Sequence, residues 1–207
     1  MEPNFVRADI VLIASPHNPL LITPDMIQRE KLLFNEKLNV LQSIQNPGFS
    51  FIDYDLFTVM VDIQRLQITS KNNEDENLKS IIHFVKKYLS LFTTLSYNAM
   101  GINFDWMKNY SSNEVFPVIE PNSQLQEFLP IELKDHELYY GNIIYAKNND
   151  YLLRLSIEQI RKPSFQIWYH YNFHHELINL DLSKILEYLE NYQSLYFLSQ
   201  NISIKLY

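Results

Sequence analysis

From Leu56 to Trp106 the spacing of apolar residues changes twice, and each change predicts an element. Val59, Val61 and Ile63 alternate with polar neighbours, as a half-buried strand requires. Leu66 and Ile68 continue the alternation with opposite parity, which predicts a strand over Phe57 to Thr69 with a bulge near Gln64-Arg65. A polar loop, Ser70 to Asn77, follows. Its acids Glu74, Asp75 and Glu76 stand where the positive end of a helix dipole favours negative charge. The spacing of Leu78, Ile81, Ile82, Val85, Tyr88, Leu89 and Phe92 then predicts an amphipathic helix, with Lys79, Lys86 and Lys87 left to solvent. The period returns to two at Met100, Ile102, Phe104 and Trp106. Gly101, Asn103 and Asp105 form the other face of that strand.

The flanking segments read in the same way. Phe5 to Ala14 predicts a first strand, with Val6, Ala8, Ile10 and Leu12 inward and Arg7 and Asp9 outward. Thr23-Pro24-Asp25 is a helix-start signal, and Ile27, Phe34, Leu38 and Leu41 suggest a helix running up to the turn residues Asn46-Pro47-Gly48. Phe49 to Leu56 is strand-like. Tyr110 to Pro121 is rich in Ser, Asn and Pro and is the one place where residues 1–207 could be subdivided; otherwise the chain reads as a single domain. Ser123 to Leu129 suggests a short helix. Tyr139 to Lys147 and Tyr151 to Ile160 predict a hairpin about Asn148-Asn149-Asp150. Phe165 to Phe173 predicts another strand, and Asp181 caps a final helix bearing Leu182, Ile185, Leu186, Leu189 and Tyr192. Runs of neighbouring strands closed by helices predict an α+β fold, a largely antiparallel sheet with helices packed on one face.

Composition narrows the chemistry. The 207 residues are 46% hydrophobic, which is globular, and carry a net charge of −7 without a basic stripe, which argues against nucleic-acid binding. The absence of cysteine excludes thiolate chemistry and Cys-based metal sites. Three glycines, all far apart, leave no phosphate-cradling loop and no nucleophile elbow. No apolar run is long enough for a membrane span and no secretory leader is evident, so the expected location is cytoplasmic. Abundant Asn, Lys, Ile and Tyr suggest an AT-rich source, a bacterium or phage.

The run Val59-Met60-Val61-Asp62-Ile63-Gln64-Arg65-Leu66, the helix Leu78 to Phe92 and the strand Tyr97-Asn98-Ala99-Met100-Gly101-Ile102-Asn103-Phe104 come in a particular order. That order resembles an uncharacterised, sporadically distributed bacterial family whose layout is similar to the SecB export chaperone. The likeness covers the middle of the chain, with the Asp181 helix in a compatible place. It implies a SecB-like antiparallel sheet with helices on one face, and self-association. The export chaperone itself forms tetramers and binds unfolded clients through apolar grooves. The resemblance carries no functional residue onto a position of this chain.

The densest polar and aromatic tract is Trp168-Tyr169-His170-Tyr171-Asn172-Phe173-His174-His175-Glu176. On a helix, His170 and His174 could share a metal. The period of two around them predicts a strand instead, where the two imidazoles share a face about 13 Å apart and His175 points the other way. No metal and no cofactor is expected. His170 or His174 as a general base with Glu176 as orienting partner is the hydrolase alternative, with or without a metal. The acid pairs Asp53/Asp55 and Glu187/Glu190 read as solvated surface. Aromatic residues make up 14% of the chain, and Tyr97, Trp106, Tyr139, Tyr140, Trp168 and Tyr196 could line a binding surface as readily as a core. The favoured expectation is a protein-interaction module, chaperone-like adaptor or immunity-type inhibitor. It would be a homo-oligomer meeting a partner protein through an aromatic face that includes Tyr97, Trp106, Trp168, His170 and His174.

Overall fold

In the computed structural model, the described residues are 2–34, 39–110, 142–160 and 165–205. Nine strands among them form one sheet: β1 (Asn4–Ser15), β2 (Val40–Asn46), β3 (Phe49–Tyr54), β4 (Phe57–Asp62), β5 (Arg65–Ser70), β6 (Ser96–Asn109), β7 (Asn142–Lys147), β8 (Leu152–Ile160) and β9 (Gln166–Glu176). Their spatial order is β2-β3-β4-β5-β1-β6-β9-β8-β7, and every neighbouring pair is antiparallel. The helices are α1 (Pro24–Arg29), α2 (Asp75–Leu91), α3 (Leu182–Glu190) and α4 (Tyr192–Lys205), with a 3-10 turn at Pro19–Leu21. The fold is α+β, as the strand runs and helical stripes predict. Among the described residues no helix is long and apolar enough to cross a membrane.

Cross-strand register sorts the side chains into two faces. Ile10 lies opposite Ile68 on β5 and Ile102 on β6, and Ile102 opposite Phe173 on β9; all four are buried under the helices. Trp106 reaches α4, where its Nε1 donates to Ser199 Oγ at 2.9 Å. Tyr171 and Ser203 share a hydrogen bond of 2.8 Å to the same helix. On α3, Tyr188 stacks on His175 with ring centroids 4.5 Å apart. On α2, the Tyr88 hydroxyl meets His17 Nδ1 at 2.7 Å. Alternation is therefore the device that builds the core: even positions of β1 and β6 and odd positions of β9 point at the helix layer.

Four expectations are corrected. The helix beginning at Thr23 lasts only from Pro24 to Arg29, because Lys31 turns to φ 51 and reverses the chain; Val40–Asn46 is a strand. The parity change at Gln64-Arg65 is a two-residue hairpin, not a bulge. Val61 pairs with Leu66, and Asp62 Oδ1 accepts the Gln64 and Arg65 amides, both at 2.8 Å. A register slip between Phe5 and Arg7 brings Phe5, rather than Val6, against Trp106, with rings 5.5 Å apart edge to face. The final helix is two, α3 and α4, parting at Asn191. The hairpin about Asn148 is formed by β7 and β8, and Asn148 Oδ1 accepts the Asp150 and Tyr151 amides. The expected helix at Ser123 to Leu129, the boundary loop from residue 111 onward and the start of the Tyr139 strand, with Tyr139 and Tyr140, lie outside the described residues.

Candidate functional site

The strand β9 places the tract about Trp168 in extended conformation, with Trp168, His170, Asn172 and His174 half-buried on one face and Tyr169, Tyr171, Phe173 and His175 buried on the other. The first set shares its face with Arg7 and Asp9 of β1 and with Gly101, Asn103 and Asp105 of β6. Two polar rows cross this face, which is helix-free among the described residues. One runs Thr69, Asp9, Asn103, Asn172, Arg154, and the other Arg7, Asp105, His170, Ser156.

The first row is a side-chain ladder. Asn172 Nδ2 donates to Asn103 Oδ1 at 2.5 Å, and Asn103 Nδ2 donates to Asp9 Oδ1 at 2.6 Å. Gly101 leaves the room it needs: a Cβ there would lie 3.0 Å from Asn172 Nδ2. Asp9 is only 3% exposed. That burial pushes its carboxyl up from 3.8 to about 6, against the lowering influence of the Asn103 hydrogen bond and of Arg7.

The second row is an ionic chain. Arg7 Nε donates to Asp105 Oδ2 at 2.7 Å, and His170 Nδ1 lies 2.9 Å from Asp105 Oδ1. Its Nε2 is 3.8 Å from Glu158 Oε2. Burial works to raise the Asp105 pKa, but the His170 hydrogen bond and the Arg7 charge outweigh it and hold the carboxyl below its ordinary range. The Asp105 hydrogen bond raises His170 above 6.5, against burial. Trp168 stacks beside His170 at 5.8 Å, and its Nε1 donates to Gln166 Oε1 at 3.2 Å.

The structure brings Trp168, His170 and His174 to one face, as alternation along the strand predicts. It removes Tyr97 and Trp106 from that surface. Trp106 is 1% exposed between β6 and α4, and the buried Tyr97 hydroxyl donates to the Phe92 carbonyl at 3.0 Å. Trp106 has the parity of Ile102 and Phe104, which the helix layer covers, and the register shift between Ala99 and Tyr97 turns Tyr97 to the same side. Tyr196 is likewise buried, packed on Trp106. Glu176 is not the partner of His170; it closes β9 opposite Ala99, and Asp105 takes the orienting role. Asp53 engages Lys71 Nζ at 2.6 Å, Glu187 engages Lys184 at 2.9 Å, and Glu190 pairs with Lys86. Asp9 and Asp105 were not singled out by sequence reasoning. Their signal was present as the polar parity of β1 and β6.

His175 stands apart on the covered side. Its Nδ1 donates to the Asp150 carbonyl at 2.8 Å, and burial lowers its pKa, so it is a neutral core histidine. Among the described residues no three His, Asp or Glu side chains gather as a metal-holding group. A cleft of about 370 Å³ opens where β6 begins and α3 starts, lined by Leu95, Tyr97, Asn98, Leu177, Leu180 and Ile185. Its one ionisable group, Tyr97, is already committed to the Phe92 carbonyl. The sequence matches no protein-family model and no curated protein.

Proposed function

We propose that this chain is a protein-interaction module, a chaperone-like adaptor or inhibitor, that receives a polypeptide on the helix-free face of its sheet around Trp168, His170 and His174. The observation that carries this reading is Trp168. A half-buried tryptophan lies flat beside His170 on a face whose central charges, Arg7, Asp105 and His170, are already paired with one another. A partner can cover the Trp168 end of this face without stranding those three charges, and tryptophan is among the side chains that most often anchor protein interfaces. The resemblance to the export-chaperone layout supports the same reading. The test is quantitative co-purification of bound protein with wild type, Trp168→Ala/His174→Ala and Lys87→Ala. The double variant is expected to lose about ten-fold in recovery of a discrete partner, and Lys87→Ala, on the outer side of α2, nothing. Equal recovery with all three proteins overturns the reading.

One observation favours a hydrolase as the second reading. Asp105 fixes His170 Nδ1 at 2.9 Å and leaves Nε2 toward Glu158, the arrangement of an oriented general base, and Ser156 is the cross-strand neighbour of His170. This reading expects turnover of activated esters that is lost in His170→Gln. Identical rates for wild type and variant retire it.

A further inference from the structure

The β2 end of the sheet is an edge strand. Among the described residues β2 bonds only to β3, and all of its residues are exposed. The outer border of such a strand presents backbone N–H and C=O groups in strand geometry, and sheet edges are ordinarily blunted by charge, proline or a covering element. Here no charged residue stands between Asn39 and Ile52. The one irregularity, a register slip at Leu41, leaves Gln42 to Asn46 in even pairing with β3.

Apolar side chains collect on both sides of this edge. Ile44 lies opposite Phe51, and Phe51 opposite Met60, giving an apolar row on the helix-free face that runs out to the border. On the other face, Gln45 Nε2 donates to the Pro19 and Leu20 carbonyls, each at 3.1 Å, and so draws the 3-10 turn alongside β2. Leu20 and Leu21 are exposed there, and Leu41 is exposed on β2 itself. Clustered exposed apolar groups on a sheet border mark an interface rather than ordinary surface.

We propose that β2 is a dimerisation edge: a second copy of this chain adds its own β2 antiparallel to the first, about a two-fold axis at Ile44. This goes beyond the partner surface described above and uses a different part of the sheet. The argument for a second copy is charge and self-matching. Each copy carries −7, so two copies repel wherever their acidic surfaces face, and this border carries no charge. Centred on Ile44, the pairing sets Ile44 against its own copy, Ser43 against Gln45 and Gln42 against Asn46. Apolar then meets apolar and polar meets polar without a mismatch. Opposed residues share a face in an antiparallel pair. Both helix layers therefore stay on the same side, and the two Met60–Phe51–Ile44 rows join into one strip.

The absence of cysteine makes the register testable, because Ile44→Cys adds the only thiol. Directly opposed strand residues have Cα atoms about 4.5–5.5 Å apart, within the span a disulfide bridges. Two Gln42 positions would lie about 13 Å apart along the strand and could not be bridged. Under mild oxidation Ile44→Cys is expected to cross-link at least about ten-fold faster than Gln42→Cys. Light scattering is expected to give wild type twice the 24.7 kDa chain mass, and Ile44→Lys, which sets two ammonium groups at the axis, the single mass with an unchanged circular-dichroism spectrum. Cross-linking of Ile44→Cys no faster than Gln42→Cys, a monomeric wild type, or an undiminished mass for Ile44→Lys would each overturn the proposal.

Discussion

Asp9→Asn should make the protein more stable at neutral pH, by an amount that depends on pH. Asp9 is buried in the row Thr69, Asp9, Asn103, Asn172, and its pKa rises from 3.8 to about 6 with burial as the first cause. The folded protein thus holds this proton more tightly than the unfolded chain does. The associated stability is complete below pH 3.8 and is lost as pH rises to about 6, the reverse of an ordinary surface aspartate. Each pH unit of difference is worth about 1.4 kcal/mol, so ionised Asp9 costs about 3 kcal/mol at neutral pH. Asparagine keeps an Oδ1 to accept the 2.6 Å hydrogen bond from Asn103 and carries no charge. The variant should therefore gain about 2–3 kcal/mol at about pH 7, or about 5–10 °C in Tm for a domain of this size. Below about pH 4 the gain should vanish, because wild-type Asp9 is protonated there too. Urea unfolding of both proteins at intervals from about pH 4 to about pH 8 measures the difference with all other groups held common. A difference that does not vary with pH, or a variant less stable than wild type at neutral pH, would refute the argument.

Other outcomes follow from the same geometry. Asp105→Asn should bring His170 down from above 6.5 in an NMR titration. Its stability cost should be largest between about pH 4 and 6.5, where the wild-type carboxylate and imidazolium are both charged, and should shrink at alkaline pH as the imidazole loses its proton. Trp106→Phe should cost about 2 kcal/mol in urea unfolding, through lost volume and the lost indole hydrogen bond to Ser199, whose hydroxyl keeps its bond to the Tyr196 carbonyl, whereas Trp168→Phe should cost under about 0.5 kcal/mol. Gly101→Ala should cost about 1 kcal/mol, because the new Cβ meets Asn172 Nδ2 at 3.0 Å and strains its bond to Asn103; an unchanged unfolding midpoint would show that the ladder yields freely.

Legibility followed burial. β6, β8, β9 and α2 announce themselves because one face of each is covered, so apolar residues recur at the period of the element. β2 has no covered face and therefore no parity; Phe34, Leu38 and Leu41 chanced on helical spacing and concealed it. The hairpin at Ile63-Gln64 and a bulge invert parity alike. The distinguishing residue was Asp62, whose carboxylate accepts both turn amides. The break between α3 and α4 carries no proline or glycine, and Asn191 keeps near-helical angles, so it left little trace. The partner of His170 was illegible for a different reason. Asp105 is 65 residues away in sequence, and only the β6–β9 register brings the two together. Chain proximity pointed to Glu176, which strand geometry carries off to the end of β9.

The two tryptophans offer the most direct measurement of the central claim, that the helix-free face receives the partner. Trp106→Phe leaves only Trp168, on the helix-free face, and Trp168→Phe leaves only Trp106, in the core. Acrylamide quenching is to be recorded for each single-tryptophan protein alone and in its co-purified complex. Trp168 should be quenched readily in the free protein and shielded in the complex, while Trp106 resists quenching in both. A Trp168 as accessible in the complex as in the free protein would contradict the account.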